Sequence, residues 1–290
     1  MNVADTVTSN EALSEGLEHE GLESMETRLL LEAVYRHYGY DFRGYAKASL
    51  RRRLWRRIEA EGLKTVSGLQ ERVLHDPETM ERLLIDLSVG VTAMFRDPSF
   101  YLAFRGKVVP LLRTYPFIRI WAAGCSSGEE VYSMAILLRE EGLHDRTRIY
   151  ATDMNLPILD AARRALLPLD RMQAYTQNYI RAGGKRAFSE YYDARGKDAQ
   201  VDRSLLSNVV FAQHNLVSDR RFNEFNVILC RNVMIYFDRE LQDHVHDLLY
   251  ESLVPHGILA LGRMETIRYT SHAHRYEELE PAEKIYRRVG

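Results

Sequence analysis

The stretch Ile118–Ser133, I-R-I-W-A-A-G-C-S-S-G-E-E-V-Y-S, constrains the fold more than any other part of the chain. Ile118, Ile120 and Ala122 alternate with period two, the mark of a strand. Gly124 and Gly128 bound a loop, and from Glu129 to Leu138 apolar residues return at helical spacing. Strand, glycine loop and helix start form a cradle for a nucleotide-like ligand. Glycines let the backbone come close, and the free N–H groups of the helix start face the ligand. The loop is G-x-x-x-G, without the third glycine of a dinucleotide fingerprint or the Gly-Lys-Ser/Thr of a phosphate loop. Acids stand where a pyrophosphate would arrive, so a ligand without phosphates, such as S-adenosylmethionine (SAM), fits better. An ordinary tight strand–helix turn is the bland alternative, and this stretch alone leaves both open.

The 290 residues suffice for one large or two modest domains. Hydrophobic content of 46% and charged content of 28% are ordinary for a globular protein. No apolar run nears the roughly 18 residues that span a bilayer, and the acidic N-terminus carries no secretory pattern. Cys125 and Cys230 do not make a disulfide framework, so the cytoplasm is the expected compartment. Residues 1–26 hold seven acids and no Lys or Arg, and read as an acidic tail, disordered or loosely helical. Residues 27–65 hold ten Lys/Arg against four acids.

Residues 27–88 read as a small helical domain. Leu50, Leu54 and Ile58, at four-residue steps, are the buried stripe of its second helix. Arg52 and Arg56 fall nearly opposite, with Arg53 and Arg57 beside them. The commonest fate of such a charge run is a solvated face. A docking face for an acidic protein is the sharper reading. A nucleic-acid surface is disfavoured by the absence of interleaved aromatics other than Trp55 and by a pI near 6.6. Residues 89–100 are a connector in which polar Thr92 and charged Arg96 stand among apolar residues, placed to reach a site between two domains.

From Arg119 onward strands and helices alternate, which predicts an α/β fold with a largely parallel sheet and helices on both faces. Gly257–Gly262 and Lys284–Val289 read as late, antiparallel strands, and residues 185–208 as an inserted β-hairpin subdomain. Ligands of such sheets bind beyond the carboxyl ends of the strands. There the first strand offers Gly124 to Glu129, and the second Asp153, an acid placed to take ribose hydroxyls. The third offers Asn215 and Leu216, suited to an adenine, and the fourth Arg231 and Asn232, followed by Tyr236. Singly, Asp153 or Asn215 reads more simply as a helix cap; four successive strands ending this way point to a site.

The run Phe225–Asp238, F-N-V-I-L-C-R-N-V-M-I-Y-F-D, with A-G-C-S-S-G-E-E at Ala123–Glu130 and A-T-D at Ala151–Asp153, resembles the chemotaxis receptor methyltransferases, the CheR family of protein-glutamate O-methyltransferases. The resemblance spans residues from about 27 to 289. It implies a Rossmann-like SAM-dependent methyltransferase sheet in residues 101–290, preceded by a helical substrate-docking domain and carrying a small inserted β-subdomain. It places Gly90, Thr92, Arg96, Gly124, Gly128, Glu129, Asp153, Asn215, Leu216, Arg231 and Asn232 around SAM. Arg96, Arg231 and Tyr236 would line the methyl-transfer site, and Arg52, Arg53, Arg56 and Arg57 would dock the substrate. No metal is implied. The implied partner is the acidic helical methylation region of a chemoreceptor or related signalling protein, met by a monomer without membrane insertion or nucleic acid.

Departures from the family pattern concern substrate detail. Gly90 stands where an Asn is frequent, Ala93-Met94 replaces a more polar or aromatic pair, and Gly262-Arg263-Met264-Glu265 replaces a G-H-S-E-like stretch. Two other classes are set against this reading: a SAM-binding scaffold that has lost transfer, and a nucleic-acid or N-methyltransferase. The latter would want an N/D-P-P-Y/F-like turn where Arg231-Asn232-Val233-Met234 stands. His244 and His246 are two apart on an expected helix and face different ways, which disfavours a metal site.

Overall fold

The computed structural model describes residues 3–88 and 92–289, with side chains from residue 21 onward. The chain divides into two compact units, residues 1–88 and 89–290.

The first unit is helical throughout: α1 (Val3–Tyr38), α2 (Lys47–Ala60), α3 (Val66–His75) and α4 (Pro77–Leu87). Its boundaries follow local chemistry. Gly39 takes φ +80° and ends α1. The Thr65 hydroxyl accepts the Gly68 N–H at 3.0 Å to cap α3, and Asp76, followed by Pro77, accepts the Glu78 N–H at 3.0 Å to cap α4. Leu50, Leu54 and Ile58 are buried as their spacing requires. The expected acidic tail differs in its last residues. Helix α1 runs through them, and the buried Glu23 carboxylate accepts from Arg51 at 2.7 Å and from the Trp55 indole at 2.8 Å.

The second unit begins with two short helices, α5 (Pro98–Ala103) and α6 (Val109–Leu112). Alternation follows: β1 (Ile118–Ala123), α7 (Glu129–Glu140), β2 (Thr147–Asp153) and α8 (Leu156–Arg164), then β3 (Leu166–Pro168), α9 (Met172–Arg181), β4 (Tyr192–Arg195) and β5 (Asp198–Val201). The chain closes with β6 (Val209–Gln213), β7 (Phe225–Cys230), α10 (Arg239–Glu251), β8 (Leu253–Leu261), β9 (Tyr276–Glu280) and β10 (Ile285–Arg288). Seven strands form one sheet in the order β6-β2-β1-β7-β8-β10-β9. Its first five are parallel, and β10 runs antiparallel to β8 and β9. Strand β7 is buried at all six positions, as a central parallel strand covered on both faces must be.

Two parts depart from expectation. The inserted subdomain is a three-stranded antiparallel sheet, β3-β5-β4, because Leu166–Pro168 pairs with Asp198–Gln200. It therefore recruits chain from before residue 185. Strand β9 was not anticipated: Y-E-E-L-E lies at the sheet edge with Glu277 and Glu278 exposed, so its pattern carries no apolar run.

Register sets the site. Ala122 pairs with both Ala151 and Leu229, and Asp153 with Gln213, so β1, β2, β6 and β7 end at one edge. The residues that end or follow these strands, among them Gly124, Asp153 and Arg231, therefore lie along one edge.

Candidate active site

The glycine loop is held from behind and open in front. Gly124 (φ +72°) and Cys125 both donate N–H to the Thr152 carbonyl at 2.8 Å. A Cβ on Gly124 would lie 2.7 Å from Val233 Cγ2, and one on Gly128 (φ +96°) would run into the Tyr132 ring. Both positions therefore need glycine for conformation and for space. Between them Ser126 takes φ +49°, and its buried hydroxyl has no protein partner.

Two acids flank this loop, Glu129 buried and Asp153 half-buried. Asp153 accepts the N–H of Ser126 on one carboxylate oxygen and of Asn155 on the other, each at 3.0 Å. The Met154 backbone N–H is a third donor to this carboxylate. Burial raises its pKa, and the backbone donors work against that rise. Glu129 is 3% exposed and takes a 2.7 Å bond from the Ser127 hydroxyl; burial raises its pKa too. A loop with an unsatisfied hydroxyl, glycine-only backbone and two flanking acids repels phosphate and suits a cationic, hydroxyl-rich ligand. SAM, with its sulfonium, ammonium and ribose, has that chemistry.

Beyond β6 the Asn215 side-chain oxygen accepts the Val217 N–H at 3.0 Å, so part of its hydrogen-bonding capacity is spent on its own turn. Leu216 beside it is buried. Gly90 lies outside the described residues. Thr92 and Arg96 are half-buried on the segment leading into α5. That segment is locked to the start of α7: the Phe95 N–H donates to the Ser133 hydroxyl at 2.8 Å, and the Phe95 ring meets Tyr101 and Tyr179 edge-on.

Arg231 is held by two carboxylates and an aromatic ring. Its guanidinium donates to Asp97 Oδ2 at 2.9 Å and to Glu130 Oε2 at 2.7 Å, and lies 3.9 Å over the Phe100 ring. Its side chain is 1% exposed. Through those two carboxylates Arg231 ties β7 to the Arg96 segment and to α7, while its buried Nε–H has no protein partner. Asn232 (φ +61°) follows, and the turn Asn232–Met234 is cradled by Glu265. That carboxylate accepts the N–H groups of Asn232, Val233, Met234 and Gly262 at 2.6–3.0 Å. Tyr236, half-buried, closes the turn.

Phe95, Asp97, Ser126 and Asn232 are four of the seven non-glycine positive-φ residues among those described. Such strain gathers where a site must be held in one geometry. Asp97, Glu130 and Glu265 escaped sequence reading. Glu130 sat beside the more prominent Glu129, and the role of Glu265 depends on contacts over 30 positions away.

The four arginines of α2 expected to dock the substrate differ in setting. Arg53 is 5% exposed and donates to the Leu87 carbonyl at 2.6 Å, so it supports the fold rather than a docking face. Arg57 is mostly buried against Asp86 and Glu61. Arg52 and Arg56 are exposed, with Arg56 paired to Asp86 at 2.6 Å.

The family description CheR methyltransferase, SAM binding domain, matches residues 90–284, and the CheR methyltransferase all-alpha domain matches residues 25–88. The chain belongs to the CheR methyltransferase family. Its cofactor is SAM, and its activity is that of a SAM-dependent methyltransferase. Among relatives, Cher3 of Pseudomonas putida KT2440 is 50% identical over 264 residues, covering 91% of this chain and 97% of that protein. Chemotaxis protein methyltransferase 2 of Pseudomonas aeruginosa is 30% identical, covering 83% and 86%. The chemotaxis protein methyltransferase of Borreliella burgdorferi is 28% identical, covering 84% and 88%. No helix among the described residues is long and apolar enough to cross a membrane.

Proposed function

We propose that this CheR-family chain methylates glutamate side chains in the acidic helical methylation region of a chemoreceptor or chemoreceptor-like signalling protein, forming methyl esters in sensory adaptation. Its relatives named as chemotaxis protein methyltransferases support the setting. The observation that carries the reading is the Asp97–Arg231–Glu130 clamp, which ties the segment bearing Arg96 to the strand end that leads to Tyr236.

A glutamate carboxylate, with a pKa of about 4.3, is already ionised at neutral pH and needs no general base. When bound, SAM supplies an electrophilic methyl on a sulfonium. The protein's task is to align the carboxylate oxygen with that methyl and to exclude water. In this reading Gly124, Gly128, Glu129, Asp153 and Leu216 seat the cofactor, with Asn215 shaping the adenine end. Arg96 orients the carboxylate and Tyr236 hydrogen-bonds it. Arg231 and Asn232 position those groups, while Arg52 and Arg56 attract the acidic substrate.

Incubation with methyl-tritiated SAM and a receptor signalling fragment tests this. Label released as volatile methanol in mild base is the expected result. Base-stable label would mean N-methylation, and no label would mean cofactor binding without transfer; either outcome overturns the proposal.

A further inference from the structure

Most large apolar side chains of the second unit are buried, yet Met264 is 84% and Tyr269 71% exposed. Both stand on the loop between β8 and β9, which is firmly anchored. Glu265 is bound to four backbone N–H groups. Ile267 is buried, and its carbonyl accepts both the N–H and the hydroxyl of Thr270. The outward setting of Met264 and Tyr269 is therefore imposed by their neighbours and is not a sign of looseness.

The anchors also say where Met264 stands. On one side Arg263 donates to the Ser99 hydroxyl at 2.5 Å and lies 4.0 Å from Asp97, the residue after Arg96. On the other side Glu265 holds the turn that ends at Tyr236. An exposed, adaptable thioether thus sits between the segments carrying the two groups assigned to the substrate carboxylate. It replaces the serine of the G-H-S-E-like stretch that this chain otherwise resembles.

Cations stand beside these side chains, and the acid of α10 that meets this loop, Asp247, is engaged by His272 at 2.9 Å and by the Ser271 hydroxyl at 3.1 Å. Arg239 lies 5.4 Å over the Tyr269 ring, and Arg268 is exposed. Neither has an ion-pair partner among the described residues. Arg263, by contrast, is neutralised by Glu283 at 2.7 Å. The acid of this loop, Glu265, is buried and consumed by backbone donors. Exposed Met and Tyr beside unpaired Arg is the composition of a protein-binding hot spot, and the charge selects an acidic partner.

We propose that Met264, Tyr269, Arg239 and Arg268 form a shelf that receives the acidic helical substrate beside the glutamate being methylated. Apolar side chains of that helix rest on Met264 and Tyr269, and flanking carboxylates meet Arg239 and Arg268. The inference rests on the proposed acidic helical substrate, so its test reads docking and transfer separately.

Methylation kinetics on a receptor signalling fragment are measured for the full chain and for a Met264→Ser/Tyr269→Ala double variant. The KM for the fragment rises about tenfold, while kcat, SAM affinity and melting temperature stay within error. In parallel, a benzophenone amino acid at position 264 is photo-crosslinked to the fragment, with excess unlabelled fragment as competitor. An unchanged KM, or no competable crosslink, overturns the shelf. A crosslink without methyl transfer overturns the proposed function and leaves the shelf standing. Transfer with neither response does the reverse.

Discussion

Arg231 and Asp97 stand 134 positions apart and meet at 2.9 Å, at the junction of three segments that must cooperate. With Glu130 completing the clamp, one guanidinium unites the end of β7, the Arg96 segment and the first turn of α7. Removing one member of a buried ion pair typically costs about 3–5 kcal/mol. Arg231→Lys keeps the charge but cannot fork to both carboxylates or stack as well on Phe100. Its expected phenotype is a lower melting temperature together with weaker SAM binding, seen by thermal denaturation and calorimetry. A pure loss of kcat at unchanged stability would return Arg231 to direct substrate contact.

Glu265 gives a second prediction. Glu265→Gln replaces two acceptor oxygens by one oxygen and an NH2 that points donors at donors. Each buried N–H left unpaired costs roughly 1–3 kcal/mol. Urea unfolding should show a loss on the order of 2 kcal/mol or more, and the turn leading to Tyr236 should exchange amide hydrogens faster. An unchanged midpoint and unchanged exchange at Val233 and Met234 would contradict the cradle.

Gly124 separates two effects that share one residue. Gly124→Ala must pay about 1–2 kcal/mol for its left-handed backbone, and its Cβ also meets Val233 Cγ2 at 2.7 Å. Adding Val233→Ala removes the collision and leaves the backbone penalty. SAM affinity should fall in the single variant and recover only in part in the double. Full recovery would mean that sterics alone demanded glycine.

What was legible in the sequence follows interaction range. The strand–loop–helix at Ile118–Ser133 and the Leu50–Leu54–Ile58 stripe are local, and each formed as its spacing requires. Asp153 and Asn215 stand out as candidates in the sequence because parallel topology sends consecutive strand ends to one edge. Arg231 directly follows β7 as the sequence pattern predicts, but its partners lie on segments whose approach no periodicity reports. Arg53 shows the same limit: a helical wheel put it beside the polar face, while the Leu87 carbonyl and α4 packing draw it inside. Strand β9 was missed because edge strands need no apolar alternation.

The split among the basic residues of α2 is testable. Arg52→Ala with Arg56→Ala should leave the melting temperature within about 1 kcal/mol equivalent, since exposed pairs contribute little. It should raise the KM for an acidic substrate and flatten its salt dependence. Arg53→Ala, which strands the Leu87 carbonyl, should instead destabilise the protein. Salt-titrated kinetics and thermal melts of both variants distinguish the roles, and equal destabilisation by both would refute the division.

His246 on α10 carries a pH prediction. It is 4% exposed, and burial lowers its pKa to about 4, with nearby His272 acting in the same direction and Asp243, Asp247 and a bond with the Thr266 backbone opposing. The unfolded chain has an ordinary histidine, near 6.5. Between those values the unfolded state binds the extra proton. Stability conferred by the neutral buried ring is therefore complete above pH 6.5 and is lost as pH falls toward 4, up to about 3 kcal/mol. Glu129, Asp153 and Glu265 have raised pKa values and act with the opposite sign, so the wild-type curve alone does not isolate the histidine. The difference against His246→Gln, which keeps a hydrogen-bonding side chain and does not titrate, does. Urea unfolding from pH 7.5 to 4.5 should show wild type losing ground to the variant progressively below 6.5. Parallel curves would mean that His246 protonates as readily in the folded protein as in the unfolded chain.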